Sequence, residues 1–370
     1  MLKILFFIET LDSGGAETVL RNLVNHMDQS EFAITVQTVW PCDAGSLLAP
    51  GIRYKTTYPV KNRFNQLRYR AEAELGSLYR LHVKDDYDIE CAYLEMGSTK
   101  IMAASTNQKA KKLAWIHCDL SRAISDYASY TQRTMGWYEK FDRVVCVSQR
   151  VKASFDRLYE NRFSSDVVYN VVDSDRIKRL AAEPLSDVKK RRLTLLAVGT
   201  LYHAKNYPRL LKTHQRLLAE GIDHDLWILG DGVQRAELEA YIRENDLSDS
   251  VTMFGFRDNP YPFMTAADVI VCSSNYEGFS TVITESTVLG KAIVTTNCSG
   301  MEEILGNSEF GLITENSDEG FYRGVKEMLT NPELRAHFAE QAAIRGEHFS
   351  ANELTEKTQD YFKELLSFQD

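Results

Sequence analysis

The stretch "DVIVCSSNYEGFSTVITESTVLG", Asp268 to Gly290, decides the fold class. Its first residues are apolar one after another, as in a parallel strand covered on both faces. A turn holding Gly278 follows. Ser280 or Thr281 then opens a helix that sets Val282, Ser286 and Leu289 on one face. Strand, tight turn and helix in that order is the repeating unit of a doubly wound α/β sheet.

The same alternation runs through the chain. The first half offers the strand-like runs "KILFFIE", "FAITVQTVW", "DIECAYL", "KLAWIHC", "RVVCVS" and "DVVYNVV". The second half offers "LTLLAVGT", "HDLWILGDG", "SVTMFGF", "DVIVCSS", "KAIVTTN" and "FGLIT". Helical periods separate them, as in "YPRLLKTHQRLLAEG", where Leu210, Leu211, Leu217 and Leu218 recur before a glycine stop. Two such series predict two Rossmann-like α/β domains, and 370 residues exceed what one core usually supports. The polar stretch "SDRIKRLAAEPLSDVKKRR" marks the join. The expected division is a first domain over 1–170, a linker over 171–191 and a second domain over 192–351. The tail, "ANELTEKTQDYFKELLSFQD", is amphipathic and offers Leu354, Tyr361, Leu365 and Leu366 for docking on either domain.

Composition removes several classes of function. The apolar fraction of 44% and charged fraction of 26% are those of an ordinary globular protein. A net charge of −9 argues against a nucleic-acid binder. The opening "MLKILFFIE" is too short and lacks the cleavage site of a signal peptide, and no run of 18 apolar residues exists to span a membrane. Six scattered cysteines without a CxxC pair read as free thiols in a reducing cytoplasm. Cysteines and histidines offer no zinc spacing, so no metal is expected, and the acidic clusters "DDYD" (85–88) and "DSD" (173–175) do not follow strand ends.

Ligands of parallel sheets bind on the turns that leave the carboxyl ends of the strands. Three turns stand out. Gly14 and Gly15, in "SGGAE", either bring a helix N-terminus close to an anion or serve a plain turn needing positive φ. The pattern is not GxGxxG, which weakens a dehydrogenase reading. Lys205, after "LTLLAVGT", is either a solvated lysine or a cation for a pyrophosphate. Gly278, Phe279, Ser280 and Thr281 aim main-chain amides at an anion, while Glu277 and Glu285 flank them. A carboxylate against the same phosphates would be repelled by on the order of 4 kcal/mol at contact. The two glutamates therefore suit hydroxyls on either side of a diphosphate, the pattern of a nucleotide-sugar; the competing reading is a loop glutamate and a surface helix glutamate. In "WIHCDL", His117 and Asp119 lie just past an apolar strand, where a lone histidine is as often structural as functional, and "GDG" (230–232) reads as an ordinary turn.

These residues resemble retaining GT-B glycosyltransferases of the large family that builds bacterial capsule, lipopolysaccharide and teichoic-acid sugars. The carriers are "SGGAE" (13–17), "GTLYHAKNYPRLL" (199–211) and "NPYPFMTAADVIVCSSNYEGFSTVITE" (259–285), with Glu277 and Glu285 in the family's E-x7-E spacing. The resemblance implies two Rossmann-like domains facing across a cleft, with the last helix crossing back to the first. It implies sugar transfer from a nucleotide-sugar, with UDP favoured, to an acceptor hydroxyl, with retention and without metal or other cofactor. It places Glu285 on the ribose, Glu277 by the sugar and diphosphate, and Lys205 with the amides of Gly278 to Thr281 on the phosphates. Gly14 and Gly15 close over the diphosphate, His117 lies near the donor sugar, and Phe256 meets the base with Arg257 nearby. Glu277, His117 and Lys205 are then the catalytic candidates. Thr200 departs from the pattern, because the family usually carries Arg there; "NVVD" likewise sets Val171 where glycine is usual. Competing implications are a GT-B nucleotide-sugar 2-epimerase and a non-catalytic nucleotide-sugar-binding subunit.

Residues 51–84 hold eight basic residues against Glu72 and Glu74, interleaved with Tyr54, Tyr58, Phe64, Leu67 and Tyr69. This segment is either a solvated basic face or a contact for an anionic membrane or lipid-linked acceptor. The expected setting is the cytoplasm, peripheral to the inner face of the plasma membrane.

Overall fold

In a computed structural model, which describes residues 1–12, 14–185, 188 and 190–367, the chain forms two compact units. One is Met1–Val171 with the chain from Ala351 onward; the other is Val172–Ser350. The family-like motif at 13–17 and the tail lose Ser13 and the last three residues to the undescribed set, as the join loses Ser186, Asp187 and Lys189.

The first unit is built on a seven-stranded parallel sheet in the order β3-β2-β1-β4-β5-β6-β7. Its strands are β1 (Leu2–Ile8), β2 (Phe32–Thr38), β3 (Arg53–Thr56), β4 (Ile89–Ala92), β5 (Lys111–Ile116), β6 (Arg143–Cys146) and β7 (Ser165–Val167). The central β1 runs in register with β2 from Leu2 against Phe32 to Ile8 against Thr38. Ile4 to Ile8 are all fully buried, which is why that run is apolar without alternation. β3 was not among the sequence-predicted strands. Its residues, Arg-Tyr-Lys-Thr, are polar and none is buried, because β3 is an edge strand with one neighbour.

The last helix, Ala351–Ser367, packs in this unit against the helix Gly15–His26. Its deepest side chain is Phe362, fully buried with its ring 6.1 Å from Phe6 and 6.2 Å from Trp115. Leu365 is buried as expected; Leu354, Tyr361 and Leu366 are half-buried, and the Tyr361 hydroxyl donates to Asp166 at 3.0 Å.

The second unit is a six-stranded parallel sheet in the order β10-β9-β8-β11-β12-β13. Its strands are β8 (Thr194–Val198), β9 (Asp225–Leu229), β10 (Val251–Gly255), β11 (Val269–Cys272), β12 (Ala292–Thr296) and β13 (Leu312–Thr314), one for each predicted run. The helix Tyr207–Ala219 buries Leu210, Leu211 and Leu217 and gives way to Gly221 at φ +79°. The stretch 171–191, expected as a linker, contains the helix Ser174–Ala181, which packs on the helices Tyr261–Ala266 and Thr281–Val288. Asp173 caps it by accepting from the Arg176 amide at 2.9 Å, and Ile177 is its one fully buried residue, so its sequence looks like a polar connector.

Replacing Phe362 with Ala should cost about 3–5 kcal/mol, because the cavity lies among rings that cannot close on it. Urea unfolding followed through Trp115 should show a lower midpoint for the first unit; an unchanged midpoint would contradict this packing.

Candidate active site

The sheet of the second unit reverses its winding between β8 and β11, so chain segments leave these neighbours toward opposite sides. A ligand crevice forms beyond the carboxyl ends of two such strands. The loop after β8 and the loop after β11 meet there and are joined by hydrogen bonds and an ion pair. The Asn275 amide donates to Ala204 O at 2.7 Å, and Asn206 Nδ2 to Asn275 Oδ1 at 2.9 Å. Ser273 Oγ donates to Lys205 O at 2.8 Å, and Lys205 Nζ pairs with Glu277 Oε1 at 2.7 Å. Ser274 Oγ donates to the same Glu277 oxygen at 2.6 Å. Burial alone would lower the Lys205 pKa; the Glu277 carboxylate outweighs it and holds the lysine above its usual range, so it stays charged.

Glycine is required where these loops crowd. Gly199 sits at φ +150° below Lys205, and a Cβ on Gly230 would lie 1.9 Å from Gly199 O. "GDG" thus marks a close approach of main chains, which its reading as an ordinary turn did not include. Behind the β11 turn, Gly300 at φ +79° lies so near that a Cβ would stand 2.6 Å from Gly278 O.

Gly278, Phe279 and Ser280 are buried, and the helix Thr281–Val288 begins without a side-chain cap from Ser280. The helix mouth offers first-turn amides and a positive dipole end to an anion beside the Lys205–Glu277 pair. Glu285, one turn further, is buried and accepts from the Tyr261 hydroxyl at 3.3 Å. Loss of solvent raises its pKa from 4.5 to about 7, against the opposing pull of Tyr261 and of the Arg176 charge. Tyr261, Arg176 and Ser274 were not singled out in the sequence. Tyr261 lay unremarked in "NPYPF", and Arg176 in the presumed linker.

In the first unit, Gly14 and Gly15 open the helix Gly15–His26. Gly14 has φ 177°, extended backbone, and Gly15 is not among the glycines with positive φ; the plain-turn alternative that needed positive φ is therefore wrong. What Gly14 provides is room, since a Cβ there would stand 2.1 Å from Glu17 Oε2. The Glu17 carboxyl folds back over the helix mouth, and burial raises its pKa. His117 follows β5, where its amide and that of Cys118 donate to the Glu95 carboxylate. Burial drives the His117 ring down to about pKa 3, with a hydrogen bond to the Tyr93 main chain pulling the other way, so the ring is neutral. Its Nε2 is buried with no partner.

Residues 182–345 match the model of glycosyl transferases group 1, and residues 13–176 that of glycosyltransferase family 4. Each half of the chain thus carries its own glycosyltransferase family match. The chain is 34% identical over 218 residues to the N-acetylgalactosamine-N,N'-diacetylbacillosaminyl-diphospho-undecaprenol 4-alpha-N-acetylgalactosaminyltransferase of Campylobacter jejuni. That match spans 57% of each protein, a little over half of the relative's length. Among solved structures, sucrose-phosphate synthase of Thermosynechococcus elongatus superimposes with a TM-score of 0.81 at 16% identity, over 100% of both chains. Anabaena HepE with UDP and glucose gives 0.76 at 18% identity, over 98% of this chain and 100% of that one. The two parallel-sheet units are the GT-B fold.

Of the candidate residues, Lys205, Glu277 and Gly278 to Thr281 come together at the β8–β11 crevice, with Glu285 one turn away. Thr200 is exposed and brings no charge to that crevice. Arg209 does not replace it, because its guanidinium is committed to Asp318, Asn316 and Ser273 O. Phe256 and Arg257 are exposed beyond the end of the edge strand β10, two strands from β8. Of the acidic clusters, Asp85 pairs with Arg53 and Lys55, and Asp173 is the helix cap. Among the described residues no group of three or more His, Cys, Asp or Glu is placed to hold a metal ion.

The raised Glu285 pKa carries a sign. The native carboxyl holds its proton up to about pH 7 and the unfolded one only to about 4.5, so wild-type stability falls as pH rises through that window. At 1.36 kcal/mol per pH unit the loss is about 3 kcal/mol. Glu285→Gln should escape it. The stability difference between variant and wild type, from urea unfolding at pH 5 and pH 8, should shift toward the variant by about that amount; equal differences at both pH values would contradict the buried, uncompensated carboxyl.

Proposed function

We propose that the protein transfers a sugar from a nucleotide-sugar, with UDP as the nucleotide, to a hydroxyl of a glycan or lipid-linked acceptor in cell-surface polysaccharide synthesis. The observation that carries this reading is the Lys205–Glu277 pair at the mouth of the helix Thr281–Val288, at the winding reversal of the second sheet. The diphosphate takes the helix amides and the Lys205 ammonium. Glu277 accepts from a sugar hydroxyl, its charge balanced by Lys205. Glu285 accepts from the ribose hydroxyls. The Campylobacter relative's name gives an undecaprenol-diphosphate acceptor, and HepE was crystallised with UDP and glucose; both fit this assignment. The first unit takes the acceptor, and the buried lone pair on His117 Nε2 suits a sugar hydroxyl.

Transfer proceeds with retention and without metal. The bond from the anomeric carbon to the leaving diphosphate oxygen breaks, and that oxygen takes the proton of the acceptor hydroxyl as the new glycosidic bond forms on the same face. Positioning and leaving-group stabilisation supply the acceleration. Glu277 is a poor nucleophile for this step, because one of its oxygens is held by both Lys205 and Ser274.

A thermal-shift panel of UDP-, GDP- and ADP-sugars tests the donor assignment. A UDP-sugar should raise Tm, and Lys205→Met should abolish the shift while the free protein still folds. No shift with any nucleotide-sugar would overturn the reading. With UDP-glucose as probe, affinity should rise as pH is raised through about 7, because Glu285 must lose its proton to accept two hydroxyls. Glu285→Gln should bind more weakly at pH 8 and show a flat pH profile. Product formed from the donor in the absence of acceptor would indicate epimerisation instead of transfer.

A further inference from the structure

A surface helix normally buries its apolar stripe and shows its polar face to water. The helix Arg63–Glu74 in the first unit does the reverse. Asn65, Tyr69 and Glu72 face inward, each tied by hydrogen bonds. Asn65 Nδ2 donates to Val60 O at 2.8 Å, and the Tyr69 hydroxyl to Glu9 Oε1 at 2.5 Å. Glu72 takes the Tyr58 hydroxyl and His82 Nε2, each at 2.7 Å. Outward, Phe64 is 67% exposed, Leu67 58% and Leu75, just past the helix, 80%. With Ala71 these fall at helical spacing into one stripe. These polar bonds, with Tyr69 and Ala73 packed on the apolar core of the unit, fix the helix, so the outward apolar stripe is not needed for folding.

Charge identifies what would cover the stripe. Lys61, Arg63 and Arg70 are exposed beside it, and among the described residues none has an acidic partner; Arg68 pairs with Glu72 on its other flank. A second copy docking isologously on this face would set its arginines against these, which disfavours a dimer. A surface both apolar and anionic satisfies stripe and arginines together. We propose that the helix Arg63–Glu74 docks this protein on a bilayer containing anionic lipid, with Phe64 and Leu67 entering the headgroup boundary and Lys61, Arg63 and Arg70 meeting lipid phosphates. The helix starts at the carboxyl end of the first sheet, and Tyr69 ties it to Glu9 at the end of β1. Docking therefore holds the ligand end of that sheet near the headgroups, where a lipid-carried hydroxyl would arrive.

Flotation with phosphatidylcholine vesicles, alone or with about 30% phosphatidylglycerol, tests this. Wild type should float only with the anionic vesicles, less so as salt is raised. F64S/L67S and R63Q/R70Q should each cut partitioning at least tenfold. Both pairs are exposed, so Tm and the UDP-sugar thermal shift should stay at wild-type values; this separates loss of docking from failure of the nucleotide-sugar assignment. No flotation of wild type, or equal flotation of the variants, would overturn the proposal. So would a concentration-dependent dimer in sedimentation that F64S/L67S abolishes.

Discussion

The ion pair between Lys205 and Glu277 is the constraint on which the ligand end of the second unit depends. It joins the loop after β8 to the loop after β11, and the hydrogen bonds around Asn206, Ser273 and Asn275 follow from the register it sets. Removing one partner of this partly buried pair leaves an uncompensated charge, at a cost below the roughly 3–5 kcal/mol of a fully buried one. The pair also makes an acid tolerable beside a phosphate site. Alone, Glu277 would repel a diphosphate; next to Lys205 the two add no net charge, and the anion gains the helix mouth. With Thr200 uncharged and Arg209 committed elsewhere, the proposed transfer asks Lys205 to serve both the carboxylate and the leaving group.

Glu285 stands in contrast. It has a tyrosine hydroxyl as hydrogen-bond partner, the distant help of Arg176 and little solvent, so its charge is held at a cost to the fold. Sites that must bind strongly often keep such unfavourable groups, because the ligand supplies the missing hydrogen bonds. The two acids of one motif thus have opposite electrostatics. One is neutralised by a neighbour and holds the loops in place; the other carries its charge at a cost to the fold.

Most of this architecture was legible in the sequence. The strands of the second unit were visible because burial on both faces forces unbroken apolar runs. β3 was invisible because an edge strand with polar residues carries no such run. The helix Ser174–Ala181 hid for a related reason: with one fully buried residue it reads as a connector, and only tertiary packing brings Arg176 near Glu285. The pairing of Lys205 with Glu277, 72 residues apart, was likewise beyond sequence. Each residue was a candidate, for the cation and for the sugar hydroxyl; that they bind each other depends on β8 lying next to β11. Of the two readings of Gly14, a close approach to an anion or a turn needing positive φ, the second fails because its backbone is extended.

In the proposed function Lys205 and Glu277 act as one charge-balanced unit beneath the donor diphosphate, which a double-mutant cycle on UDP binding by calorimetry tests most directly. Lys205→Met should weaken UDP at least tenfold, because the phosphate loses its cation and faces a bare carboxylate. Adding Glu277→Gln to that variant should recover part of the loss. Strictly additive losses, with the double variant weaker than Lys205→Met, would contradict the claim.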